Sequence, residues 1–195
     1  MDLQGLLGQV LAGNNLGAIS QSIGADQSTT STAIQAALPM ILGALARNAS
    51  TPDGAGALAG ALGRDHDGSI LSDIAGAVLG GQAASIGGGI LGHVFGNRQP
   101  AVEQGISQAS GLDAGTVGKL LVTLAPIVMG AIGNTQRQQG LDPAALAGML
   151  GQQQEQMQET HSPVMGMLSA VLDSNHDGSM VDDVIRLAGG FLGRR

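Results

Sequence analysis

The chain has 195 residues, enough for one medium domain or two small ones, and 43% are hydrophobic, enough for a sizeable core. Eight basic residues stand against fifteen acidic ones, a formal charge of -7 with no basic patch, which disfavours nucleic-acid binding and attraction to anionic lipid. Cysteine is absent, which excludes a disulfide, a thiolate metal site and a cysteine nucleophile, and fits the cytoplasm.

The apolar residues are Ala, Leu, Ile, Val and Met, with two phenylalanines (Phe95, Phe191) and no Trp or Tyr. Such a core is aliphatic and predicts an all-α fold. Thirty-three glycines oppose helix formation, unless they serve as linkers or as close helix contacts. The opening MDLQGLLGQVLAG has no basic n-region and is read as the start of a soluble intracellular chain rather than a secretory signal. Ile34, Leu38, Ile41, Leu42 and Leu45 then recur at steps of three and four, which predicts a helix. Asp53 is the expected cap of the helix GAGALAGAL.

A first acidic loop, GRDHDGSILSD, follows from Gly63 to Asp73. Next comes an apolar, glycine-rich stretch from Ala75 to Pro100. Gly87-Gly88-Gly89 weakens any helix there, so residues 81–97 are expected to be a Gly-rich linker with ILGHVFG as a short amphipathic docking segment. The GxxxG spacings at Gly88, Gly92 and Gly96 leave membrane contact through residues 75–96 as a weaker alternative. His93 is expected to be packed or solvent-facing rather than a ligand.

Val117, Leu120, Leu121, Leu124, Ile127, Val128 and Ile132 predict a second long helix. It carries Pro126 as the first carries Pro39; each proline either kinks its helix or opens a new one. Asp142-Pro143 reads as an N-cap with Pro at N1, opening the helix AALAGML. A polar insertion covers residues 151–163, and a second acidic loop, DSNHDGSMVDD, runs from Asp173 to Asp183.

These pieces repeat. ISQSIGADQ from Ile19 matches ISQASGLDA from Ile106, and LPMILGAL from Leu38 matches APIVMGAI from Ala125, both 87 residues apart. LAGAL at Leu58 and LAGML at Leu146 are 88 apart, and HDGSILSDI at His66 and HDGSMVDDV at His176 are 110 apart. The expectation is two tandem copies of a small multi-helical unit, over 1–80 and 98–195, joined by the linker.

The two acidic loops hold seven of the fifteen acids. An EF-hand-type calcium loop takes oxygens at positions 1, 3, 5, 7, 9 and 12, with Gly at 6. The second loop supplies Asp173, Asn175, Asp177, Gly178 and the Ser179 carbonyl in the front half, but Val184 at position 12; Asp182 and Asp183 are its nearest substitutes. The first loop starts with Gly63 and keeps Asp65, Asp67, Gly68, Ser69 and Asp73. The competing account needs no metal: Asp-Gly makes a turn, Ser69 or Ser179 caps the next helix, and carboxylates favour the first helical turn. It leaves Asp173 and Asn175 without a task, so both accounts stand. Zinc through His66 or His176 is disfavoured, since each loop offers one His and no thiolate.

LGRDHDGSILSDIAG and ILGHVFGNRQPAVEQGISQASGLD resemble the bacterial YidB-like family, the domain of unknown function numbered nine hundred and thirty-seven. The resemblance implies a small all-α fold, here in two copies, and no established activity. Gly63 departs from the acidic residue associated with that loop start.

The four histidines are scattered over the acidic loops, the linker and the insertion, and no P-loop, dinucleotide fingerprint or serine elbow is found, so catalysis is not expected. The expected function is a cytoplasmic, non-catalytic binding module whose aspartate loops take Ca2+. The alternative is a metal-free scaffold that self-associates into a homo-oligomer through apolar helix faces.

Overall fold

In the computed structural model, residues 3–155 other than Asp67 are described. Among them every regular element is a helix. In chain order these are α1 (Leu3–Leu11), α2 (Gly13–Ile23), α3 (Gln27–Asn48), α4 (Pro52–Asp65), a 3-10 turn (Ser69–Ser72), α5 (Ile74–Leu79) and α6 (Gln82–Phe95). A second 3-10 turn (Gly96–Arg98), α7 (Gln99–Ser110), α8 (Ala114–Gln139) and α9 (residues 143–155) complete them.

The two long helices begin alike. Gly24 ends α2 with φ 77° and Gly111 ends α7 with φ 80°, the left-handed conformation that a residue with a Cβ adopts at a cost. Two residues later Asp26 accepts from the Thr29 amide at 2.9 Å, and Asp113 accepts from the Thr116 amide at 3.0 Å. Pro39 and Pro126 lie deep inside α3 and α8, so neither opens a new helix. The periodic residues face inward as expected: Ile34, Leu38 and Ile41 of α3, and Val117, Leu120, Leu121 and Leu124 of α8, are fully buried.

Helix α8 is the axis of the packing. It meets α2, α3, α4, α6, α7 and the 3-10 turn Ser69–Ser72. Helices α3 and α8 are long and apolar enough to cross a membrane, and here much of each is buried as core, 56% and 72% of the apolar window. The matching face of α3 is more open than that of α8. Ile127 is fully buried, whereas Met40, 87 residues earlier, is 40% exposed.

The stretch expected to be a linker is a helix. Helix α5 stops at Leu79, Gly80-Gly81 turns the chain with φ 75° at Gly81, and α6 then runs through the glycine triplet. Each helical glycine costs about 1 kcal/mol relative to Ala. Burial of Ala83, Leu91, Val94 and Phe95 against the rest of the fold offsets it. Gly87 is buried with its backbone against the Val122 carbonyl of α8. Pro126, four residues after Val122, has no N–H to donate to that carbonyl, so the Cα–H face of Gly87 covers an acceptor that its own helix leaves open. The GxxxG residues do not make this contact: a Cβ at Gly88 or Gly92 would meet nothing within 4 Å. With fourteen residues, α6 is about 21 Å long, short of the ~30 Å hydrocarbon core.

The expected boundaries at 80 and 98 also fall inside one compact unit, which runs from Met1 to Gln154. The reason is that α4 and the turn Ser69–Ser72, both from the first half, pack on α8 from the second.

Candidate functional site: the first aspartate loop and the groove beside it

Helix α4 starts from Thr51, whose hydroxyl oxygen accepts from the Gly54 amide at 3.2 Å, with Pro52 behind it. Asp53, expected as the cap, lies in the first turn instead, where its charge suits the helix dipole. The helix ends at Asp65, and the chain reverses through His66 and Gly68, whose φ is +81°. The loop then rests in a notch on α8 made by Gly130 and Gly133. A Cβ on Gly133 would overlap the His66 carbonyl, and one on Gly130 would lie 2.7 Å from Ile70 Cγ2 and 3.5 Å from Gly68 Cα. Two glycines three apart on an apolar helix, Gly130 and Gly133, are the sequence signal for this seat, which the spacing of the acidic residues does not carry.

The candidate ligands of the first loop take distinct places. Asp65, Ser69 and Asp73 are exposed, and Asp67 lies outside the described residues. Asp73 Oδ1 accepts from the Gly76 amide at 2.8 Å and so caps α5. The Ser69 carbonyl accepts from the Ser72 hydroxyl at 2.6 Å. Ser69 is therefore not the cap of the next helix; it opens a 3-10 turn, and the cap is Asp73, four residues on. Asp73 joins three others of the same kind: Asp26, Asp113 and Asp142, the last accepting from the Ala145 amide at 2.8 Å as expected for Asp142-Pro143. The second loop's candidates, Asp173, Asn175, Asp177, Ser179 and Asp183, lie outside the described residues. Among the described residues no three His, Cys, Asp or Glu side chains converge on a metal position.

His66 is half-buried, and burial pushes its pKa below the ordinary 6.5, against the opposing pull of Asp65. Its side chain lines a groove of about 730 Å³ between α4 and α6, floored by α3 and α8. Leu45, Leu58, Val94 and Met129 give the apolar lining; Asn48, Asp65, His66 and His93 give the polar one. Asn48 Nδ2 donates to the carbonyls of His93 and Val94, each at 3.1 Å, which ties the end of α3 to the end of α6. His93 Nδ1 sits 2.9 Å from the Gly89 carbonyl.

Among the described residues, an all-α domain with an aspartate-capped framework and an open apolar groove is the class these features define. The chain belongs to the family described as bacterial protein of unknown function (DUF937), whose model matches residues 5–135. That match is one continuous stretch and runs through the boundaries expected at 80 and 98. Neither a curated protein nor a solved structure matches the chain.

Proposed function

We propose that the chain is a non-catalytic helical binding module whose first aspartate loop works without metal, as a turn and a helix cap. The observation that carries this is the cap at Asp73. It makes the same bond as the caps at Asp26, Asp113 and Asp142, all reaching the amide three residues on at 2.8–3.0 Å, although its backbone, at φ -148° and ψ 72°, differs from the extended one of Asp26 and Asp113. Four acids of the described framework thus share one structural task, and Asp73 of the first loop is one of them. The loop's purpose is to hold the chain in the Gly130–Gly133 notch and so set one wall of the groove.

The calcium reading stays with the second loop, where Asp173, Asn175, Asp177, Ser179 and Asp183 supply the oxygen-rich pattern; its support is the sequence. Two tandem copies are part of the same proposal, supported by the like starts and like prolines of α3 and α8. Cytoplasmic residence is proposed from the acidic, cysteine-free composition.

The test is thermal unfolding of Asp73→Ala and Asp73→Ser, each in an Asp177→Ala background, with EDTA and with millimolar calcium. Serine is a good N-cap and a poor calcium ligand. The cap predicts that Asp73→Ser keeps the melting temperature, that Asp73→Ala costs about 1 kcal/mol, and that calcium moves neither. A calcium-dependent rise in the Asp177→Ala parent that Asp73→Ser abolishes would sink the metal-free reading.

A further inference from the structure

We infer that the groove between α4 and α6 is a binding site for a small apolar molecule that carries an N–H or O–H donor at its head. This goes beyond the capping role of the loop and holds whether or not calcium binds.

The shape comes first. Helices α4 and α6 both pack on α8, and among the described residues the space between them stays open where four of the residues bordering it are small. Gly54, Ala57 and Ala61 come from α4, and Gly89 from α6. A Cβ on Gly89 would meet nothing within 4 Å. The floor is side-chain hydrocarbon from Leu45, Leu58 and Met129, each buried. A volume of about 730 Å³ lies in the range of small-molecule sites, ~300–1,000 Å³, and such sites pair an apolar lining with a few placed polar groups.

The polar groups then select the head. A carbonyl can only accept, so His93 Nδ1 donates to Gly89, which commits that nitrogen within α6. Asn48 has committed its Nδ2 to two carbonyls, which leaves Oδ1, an acceptor. Asp65 adds a carboxylate. An amide oxygen and a carboxylate therefore border the groove, beside the rings of His66 and His93. A ligand with a donor can pair with either acceptor at the groove's edge, where both side chains are exposed. A carboxylate ligand brings a charge of the wrong sign beside Asp65, on a chain whose formal charge is -7. The head is therefore an alcohol or an amine, not an acid.

The test uses the full chain and N-phenyl-1-naphthylamine, a neutral apolar probe with one N–H, whose fluorescence rises on leaving water. The chain has no Trp or Tyr to interfere. The expected result is saturable binding that decanol and decylamine reverse at concentrations roughly tenfold below decanoate, the discrimination of one charge-assisted or unpaired hydrogen bond. Gly89→Leu fills the groove from a position with free space and should weaken probe binding by at least roughly tenfold without lowering helix content or melting temperature. Asp65→Asn keeps the side chain's size, removes the carboxylate charge and should narrow the gap between decanol and decanoate. Absence of probe binding, or binding that Gly89→Leu leaves unchanged, overturns the site. Equal competition by decanoate overturns the choice of head. None of these readouts depends on calcium, so this inference and the capping role fail separately.

Discussion

Gly87→Ala adds one methyl group to the face of α6 that meets α8. The new Cβ would overlap the Val122 carbonyl oxygen and lie 2.7 Å from its carbon and 3.0 Å from Val122 Cγ1. Ordinary contact starts near 3.4 Å, and the obstacle is backbone, which has no rotamer to change. Helix α6 must therefore move away from α8, loosening Ala83 and Leu91 and uncovering the carbonyl that Pro126 leaves without a donor. Overpacking of this kind costs about 1–3 kcal/mol, and a fixed obstacle puts it at the upper end. Replacing a helical Gly by Ala returns about 1 kcal/mol. The net loss is about 2 kcal/mol, or about 4–8 °C for a domain of this size. Gly88→Ala, one residue along, is the control. Its Cβ would meet nothing within 4 Å, so only the propensity gain acts, and melting should rise by about 2–4 °C. Circular dichroism at the helical minimum reads both, with concentration from peptide-bond absorbance. If Gly87→Ala melts with or above the parent, the close approach of α6 to Val122 is not what sets this packing.

The seat of the first loop gives a second pair of substitutions. Gly133→Ala overlaps the His66 carbonyl and should cost about 1–3 kcal/mol in urea unfolding, while Gly43→Ala, in open space on α3, should be neutral or stabilising. Acid titration gives a third prediction. Burial lowers the His66 pKa in the folded state, so the fold favours the neutral ring. Its contribution is complete above the unfolded value of 6.5 and is lost as pH falls through the lower folded value. Melting temperature should drop across that window, and His66→Asn should flatten the slope; an unchanged slope refutes the assignment. Asp26 and Asp113 act at lower pH. Hydrogen bonds from Thr29 and Thr116 hold their carboxyls below the ordinary 3.8, so their contribution is present above that value and is lost as pH falls below it.

Some of this architecture was legible in the sequence because its causes are local. The apolar residues of α3 and α8 recur at the helical period, and an element with one apolar stripe has one way to bury it. Asp142-Pro143 was readable for the same reason: a cap acts on an amide three residues away. The acidic loop was half legible. Asp-Gly announced the turn, and Gly68 adopts the expected left-handed conformation. The sequence points to Ser69 as the cap, whereas the cap is Asp73, which also stands before an apolar run. The seat on α8 decides it by letting the chain continue as a 3-10 turn before α5 begins.

Glycine is where local reading stopped. In isolation Gly87-Gly88-Gly89 weakens a helix, and that reasoning pointed to a linker. The tertiary structure gives the three glycines three different surroundings: Gly87 against a carbonyl, Gly88 in open space, Gly89 beside a groove. A glycine's worth depends on what stands where its side chain would have been, and that neighbour comes from 35 residues away, at Val122. The groove has the same origin. Asn48, Asp65 and His93 carry no shared motif, and only the packing of α4 and α6 on one face of α8 brings them to one opening.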